Sequence, residues 1–300
     1  MPQAKSANKA RPLVLRAGLD LEAGFALITR QCLRQIRANE AGLKFSSDPE
    51  FVHQIRVGLR RLRSALSLFK PWIPLPQALA HDLRWLGQRL GTVRDAEVLA
   101  HTTLPALALA CAGVEDLGKL QDAAAGLAQK RRRKAVQALD SERYQHLQTD
   151  LQRWLKRRGW RVDSPRPEEL GMPLEAAAQA MLTLRNQKLS QRITSLPDPA
   201  RAEDWHRLRI AVKKLRYAHG FFQSFAVARA NGQSTQLSAL QDLLGQFNDA
   251  DVGRELLLHL APKQGRPAAF ASGVLWAQSQ QRIHMVTALL PAFVTGPPTP

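Results

Sequence analysis

Two twelve-residue stretches hold the side chains best equipped for chemistry. Val52-His53-Gln54-Ile55-Arg56-Val57-Gly58-Leu59-Arg60-Arg61-Leu62-Arg63 is matched by Trp205-His206-Arg207-Leu208-Arg209-Ile210-Ala211-Val212-Lys213-Lys214-Leu215-Arg216. At about 100° per residue, Ile55, Leu59, Leu62, Leu66 and Phe69 fall on one apolar stripe of a helix. His53, Arg56, Arg60 and Arg63 form a second stripe beside it, about 15 Å long. The second stretch does the same, with Leu208, Val212, Leu215 and Phe222 apolar and His206, Arg209, Lys213 and Arg216 in the row. Guanidinium forks and a donating imidazole set in line suit an extended anion. Charges on one helix often serve only a solvated face, but such faces mix signs, with acids placed to support the cations. Neither row contains an acid. Like charges four residues apart repel by roughly a few tenths of a kcal/mol per pair, and a bound anion would relieve that.

Other helices add to the positive charge. Arg30, Arg34 and Arg37 share one side of the first helix, and Arg185, Lys188 and Arg192 occupy the equivalent helix of the second half. Lys130 to Lys134 is an unbroken cationic run. A run of that kind cannot all face one groove; Arg133 and Lys134 are its candidate ligands. His53 and His206 have no second His, Cys or carboxylate at ligand spacing on their helix, and a dication among guanidiniums would be electrostatically costly. Each histidine is therefore expected to donate to a phosphate oxygen, its pKa raised once the anion is bound. His81, His101, His146, His219, His259 and His284 have no such setting and read as ordinary residues.

Asp95/Glu97 and Asp249/Asp251 also recur at matching places. Paired carboxylates suit Mg²⁺ or acid–base work, but caps of the following turn, or partners of a neighbour such as Arg94, are the favoured reading. No P-loop, GxSxG or HExxH occurs. The expectation is a protein that is not an enzyme, with no cofactor and no metal.

Elements must carry these rows. The 300 residues suffice for one large domain or about two ordinary ones. Hydrophobic content of 45% excludes wholesale disorder. Lys+Arg exceed Asp+Glu by 43 to 25, a net +18, which points to a polyanionic partner: nucleic acid, an anionic membrane surface or a phosphate polymer. Cys32 and Cys111 are too few for a disulfide framework, so a reducing cytoplasm is expected. No apolar run is long enough to span a membrane, and no secretory signal is read at the start.

Apolar periodicity gives helices almost throughout and no convincing strand. They are expected over 19–40, 49–69 (stopped by Pro71 and Pro74) and 77–90 (ended by Gly91). An Ala-rich stretch over 104–128 leads into a long helix reaching Trp154. Further helices are expected over 174–195, 204–225, 234–247 and 267–293. Leu90-Gly91-Thr92-Val93-Arg94-Asp95-Ala96-Glu97-Val98 also matches Leu244-Gly245-Gln246-Phe247-Asn248-Asp249-Ala250-Asp251-Val252. Two ordered matches half a chain apart imply a duplication into two units of about four helices each, packed as bundles. The expected division is a basic flexible tail (1–16), a first repeat (17–158), a Pro-rich linker (159–171), a second repeat (172–293) and a disordered tail (294–300).

His-x-x-Arg-Val-x-x-Arg-Arg-Leu-Arg at 53–63, followed by Leu-Gly-x-Val-Arg-Asp-x-x-Val at 90–98, resembles the conserved histidine α-helical domain, CHAD. The degenerate copy at 206–252 fits that family's internal duplication, and the resemblance runs from about 17 to 293. It implies an all-α fold of two pseudo-symmetric four-helix bundles with a basic groove or pore between them. It further implies non-catalytic binding of inorganic polyphosphate, with roles for Arg61 and Lys214 as well as the two rows. The expected location is cytoplasmic, at polyphosphate granules and their associated proteins. Lys213, Lys214 and Asn248 depart from the stricter pattern and predict a weaker second half-site. The alternatives are a non-specific nucleic-acid binder and a metal-dependent phosphohydrolase using Asp95 and Asp249.

Overall fold

A computed structural model describes residues 6–226, 228 and 234–294. The chain is all-α, and the described residues contain no strand, only an isolated bridge between Asp20 and Pro173. The helices are α1 (Leu21–Phe45), α2 (Pro49–Phe69), α3 (Gln77–Val98), α4 (Leu104–Ala110), α5 (Gly118–Asp140), α6 (Glu142–Lys156), α7 (Trp160–Asp163), α8 (Leu174–Thr194), α9 (Ala202–Phe222) and α10 (Ser234–Leu289). Local chemistry sets several starts. Asp20 caps α1 by accepting from the Ala23 amide at 2.6 Å. Asp48 caps α2 by accepting from the Glu50 amide, with Pro49 in the first turn where its missing N–H is harmless.

Several boundaries differ from expectation, each for a physical reason. Helix α3 runs through Gly91 to Val98 and continues as a π-turn, Leu99–Thr103, into α4. Gly91 keeps its place in the helix because a guanidinium lies where its side chain would be. The long helix expected to reach Trp154 is two, since Ser141 caps a new start by accepting from the Tyr144 amide. The helices expected at 234–247 and 267–293 are one path, α10, with a kink at Gly265 (φ 35°) between Pro262 and Pro267. Residues 295–300 of the expected disordered tail, and Lys5 of the expected basic tail, lie outside the described residues.

The first stretch is not the free tail expected over 1–16. Leu13 and Leu15 are buried, Asn8 donates to the Ala38 carbonyl, and Gln31 donates to the Arg11 carbonyl at 2.8 Å. The expected linker is also packed. Trp160 is fully buried, and its indole N–H donates to Glu22 Oε1 at 2.8 Å. Arg158 and Arg161 reach Glu22 Oε2 at 2.7 and 2.6 Å. The guanidinium of Arg161 above all holds the Glu22 carboxyl below the usual range.

Two compact units are distinguishable, and they interleave along the chain instead of following the repeat boundaries near 158 and 172. The first draws on the described residues up to Arg94, on Arg132–Thr183 and on those between Tyr217 and Asn231. The second draws on Asp95–Arg131, Leu184–Arg216 and the described residues from Gly232 onward. The first has an aromatic centre: Phe25 lies 5.3 Å from both Phe69 and Trp160, and Trp154 lies 5.0 Å from Trp160. The second has an aliphatic one around Leu99, Leu104, Leu120, Leu257 and Leu275. Among the described residues no helix is long and apolar enough to cross a membrane.

Candidate anion-binding site

In the first unit α2 buries Ile55, Leu59, Leu62, Leu66 and Phe69, as its periodicity demands. It closes tightly on α1 at Gly58, where a Cβ would lie 2.9 Å from Ile36 Cγ1 and 3.3 Å from the Cys32 carbonyl. Fixing α2 in this way sets the direction of the row beside its apolar stripe. His53, Arg56 and Arg60 are half-buried along it, and Arg63 keeps more of its surface in solvent.

Helix α3 supplies the opposing wall, and its glycines shape it. A Cβ on Gly91 would sit 2.8 Å from Arg56 Nη1, and one on Gly87 would sit 3.2 Å from Arg63 Nη1. The two glycines, four residues apart, form one notch along α3 in which guanidiniums from α2 lie. Arg84 and Arg94 flank that notch. Burial above all pushes the His53 pKa down and Arg94 pushes it further; Glu50 pulls the other way, and Arg60 and Arg56 add smaller downward contributions. Arg63 is lowered by burial and by Arg84, although part of its surface meets water. The Arg60 Nε atom is buried without a hydrogen-bond acceptor. Cations are thus crowded together, partly dehydrated, and held against one another by the fold.

The remaining expected ligands of this unit fall into different settings. Arg61 turns away from the row, donating to Gln35 and Gln31 at 3.5 and 3.3 Å and lying 5.9 Å over the Phe221 ring. Arg30, Arg34 and Arg37 are exposed on α1, and Arg133 and Lys134 are exposed on α5. Within the basic run the more buried members are Arg131 and Arg132, which the sequence did not single out. Arg132 is structural, donating to the Leu43 carbonyl at the end of α1 at 3.3 Å. Arg131, in the second unit, has its pKa lowered by burial, with Asp95 pulling the other way. Arg84 was also missed: its role depends on α3 packing, which no local spacing reveals.

The second unit carries the matching row in a milder setting. His206 and Arg216 are exposed, while Arg209 and Lys213 are half-buried. Arg216 donates to Ser238 Oγ at 3.3 Å. At the repeat offset, Ser238 stands where α3 has Arg84, Gln241 where it has Gly87, and Asn248 where it has Arg94. Gly245, the counterpart of Gly91, has open space where a Cβ would go. Asp249 is exposed, and Asp251 lies 3.9 Å from Arg254. Among the described residues no group of three or more His, Cys, Asp or Glu converges.

Four other expected ligands of this unit gather elsewhere. Arg185, Lys188 and Arg192 on α8 and Lys214 on α9 line a groove of about 520 Å³ together with Arg207. On α9 that face is turned about 130° from the His206 row.

Comparison with known proteins agrees with this architecture. A family model described as the CHAD domain matches residues 27–258. The crystal structure of the CHAD domain from the plant Ricinus communis is 33% identical, with a TM-score of 0.82, over 96% of this chain and 98% of that one. PptA from Streptomyces chartreusis shares the fold at 17% identity and a TM-score of 0.66, over 92% of this chain and 99% of that one. Uncharacterized proteins from two strains of Mycobacterium tuberculosis are 29% identical over 238 residues, which is 76% of this chain and 44% of theirs. The chain thus spans less than half the length of those curated relatives.

Proposed function

The chain belongs to the CHAD domain family, and from that premise we propose that it binds inorganic polyphosphate without catalysing its turnover. The supporting observation is the notch on α3. Guanidiniums of Arg56 and Arg63 lie over Gly91 and Gly87, close to Arg84, Arg94 and His53, and burial first, then these neighbouring cations, lower the pKa of His53 and Arg63. Partly dehydrated cations held together cost folding free energy, and a linear polyanion laid along them converts that repulsion into attraction. Charge-assisted bonds to phosphate contribute about 1.5–3 kcal/mol net each, so several in line make affinity grow with polymer length. Arg209, Lys213 and Arg216 with His206 form a second, weaker stretch. A protein holding this polymer would collect on cytoplasmic polyphosphate granules and meet the proteins there.

Calorimetric titration with long-chain polyphosphate, single-stranded DNA and duplex DNA at one salt concentration tests the reading. Polyphosphate should bind most tightly, because aromatic platforms for base stacking are lacking beside the described rows, where Tyr217 alone is adjacent. Comparable affinity for all three would leave only non-specific phosphate attraction. A melting series adds a second check. Polyphosphate should raise Tm more than monophosphate at equal phosphate concentration, and more strongly at low ionic strength.

A further inference from the structure

The groove between α8 and α9 differs in kind from the rows. Arg185, Lys188 and Arg192 on one helix face Arg207 and Lys214 on the next, and no carboxylate lines the groove. Each cationic set extends about 10 Å along its axis. The result is a compact patch, not a rail. Ile210 and Ala211 form an apolar floor, and Gln191 and Ser195 add hydrogen-bonding side chains. The volume, about 520 Å³, falls within the usual range of small-molecule sites.

The two units differ at one small residue beside this groove. Gly58 lets α1 and α2 close together, and its repeat counterpart is Ala211, which lines the groove. The counterpart groove of the first unit is occupied from within. Arg61, which matches Lys214, is bound there to Gln31 and Gln35, and Gln31 also holds the first stretch through the Arg11 carbonyl.

We propose that the α8–α9 groove is a separate site for a compact phosphate ester, several phosphates carried on an apolar or aromatic body. Five cations, of which Arg207 is paired with Asp204 at 2.6 Å, stand against the roughly four negative charges of a triphosphate group near neutral pH. A bare phosphate polymer has no use for an apolar floor, whereas a nucleoside body would cover Ile210 and Ala211. Burial lowers the Arg185 pKa, which fits a guanidinium set to receive an anion. The site is independent of the polyphosphate reading, which rests on the rows of α2 and α9.

ATP and inorganic tripolyphosphate, each without added metal, are the probes, titrated into the full chain by calorimetry. With the α2 row removed by R56E/R60E/R63E, ATP should bind more tightly than tripolyphosphate. The R185Q/K188Q/R192Q variant should weaken ATP about tenfold or more. A211L, which fills the floor without changing charge, should also weaken it, with circular dichroism confirming that both variants stay folded. R56E/R60E/R63E should leave ATP affinity within about twofold, since its changes lie on α2. Retained ATP affinity in both groove variants, equal loss in the α2 variant, or tripolyphosphate binding the α2 variant as tightly as ATP would each overturn the proposal. Long-chain polyphosphate titrated into the same variants reports on the rows alone and keeps the two failures distinguishable.

Discussion

The two cationic rows share a sequence pattern and differ in what surrounds them. Along α2 the partners on α3 are Arg84, Gly87, Gly91 and Arg94, which add charge and give guanidiniums a place to lie. Along α9 the matching positions are Ser238, Gln241, Gly245 and Asn248, which add no charge, and Ser238 accepts a hydrogen bond from Arg216. The first row is kept in electrostatic tension, and the second is partly satisfied by neutral neighbours. Duplicated helices therefore need not make duplicated sites. The helix packed beside each row decides how much further charge surrounds it.

Reversing charge breaks the comparison most severely. Arg56, Arg60 and Arg63→Glu should lower polyphosphate affinity roughly a hundredfold or more, against roughly tenfold for Arg209, Lys213 and Arg216→Glu. Equal losses by calorimetry would mean that charge count, not setting, governs binding.

The glycines sharpen the point with a smaller effect. Gly91→Ala meets only the mobile tip of Arg56, so α3 should persist while affinity falls about threefold to tenfold. Gly245→Ala meets open space. It should raise stability by about 0.5–1 kcal/mol through helix propensity and leave affinity unchanged. Melting and binding curves of the two variants read both outcomes, and identical behaviour would remove the notch from the account.

Much of this was legible in the sequence, and the exceptions share a cause. Helix α2 was read closely because its apolar period and the prolines that follow it agree, and Asp48 then caps its start in the structure. The row followed from the same period. Gly91 was misread as a helix end because the reason for it is a guanidinium on another helix, and local signals carry no such information. Arg84 and Arg131 were missed similarly. The segment 159–171 looked like a linker from its prolines, yet Trp160 and its arginines are fixed by Glu22, more than a hundred residues earlier. Helices α3, α5, α8 and α9 each contribute to both compact units, so a boundary placed between the repeats does not separate them.

A third contrast concerns protons. The His53 pKa lies below the ordinary value near 6.5, so in the free protein the stability tied to its neutral form is present above that value and lost as pH falls through the lowered pKa. A polyanion screening Arg56, Arg60 and Arg94 raises that pKa, so binding takes up a proton. Affinity should then increase a few-fold as pH falls from about 7.5 to about 6. Calorimetry in buffers of different ionisation enthalpy measures the uptake, which His53→Gln should reduce.

The smallest expected change runs the comparison in reverse. Ser238→Arg gives α10 the charge that α3 has at Arg84, and should raise polyphosphate affinity about twofold while lowering the melting temperature of the free protein. An unchanged affinity would show that the second row contributes little however it is charged.

The Glu22 carboxylate has a consequence for taking the molecule apart. Its partners Trp160, Arg158 and Arg161 lie far along the chain, in the stretch where a cut between the repeats would be made. A first repeat ending at 158 keeps the buried acid and Arg158 but loses Trp160 and Arg161, which between them bind both carboxylate oxygens. The first repeat expressed alone should misfold or aggregate, and a protease nick there should leave two pieces that stay associated until acid protonates Glu22. Complementation of separately produced fragments, not truncation, is the workable way to study one half.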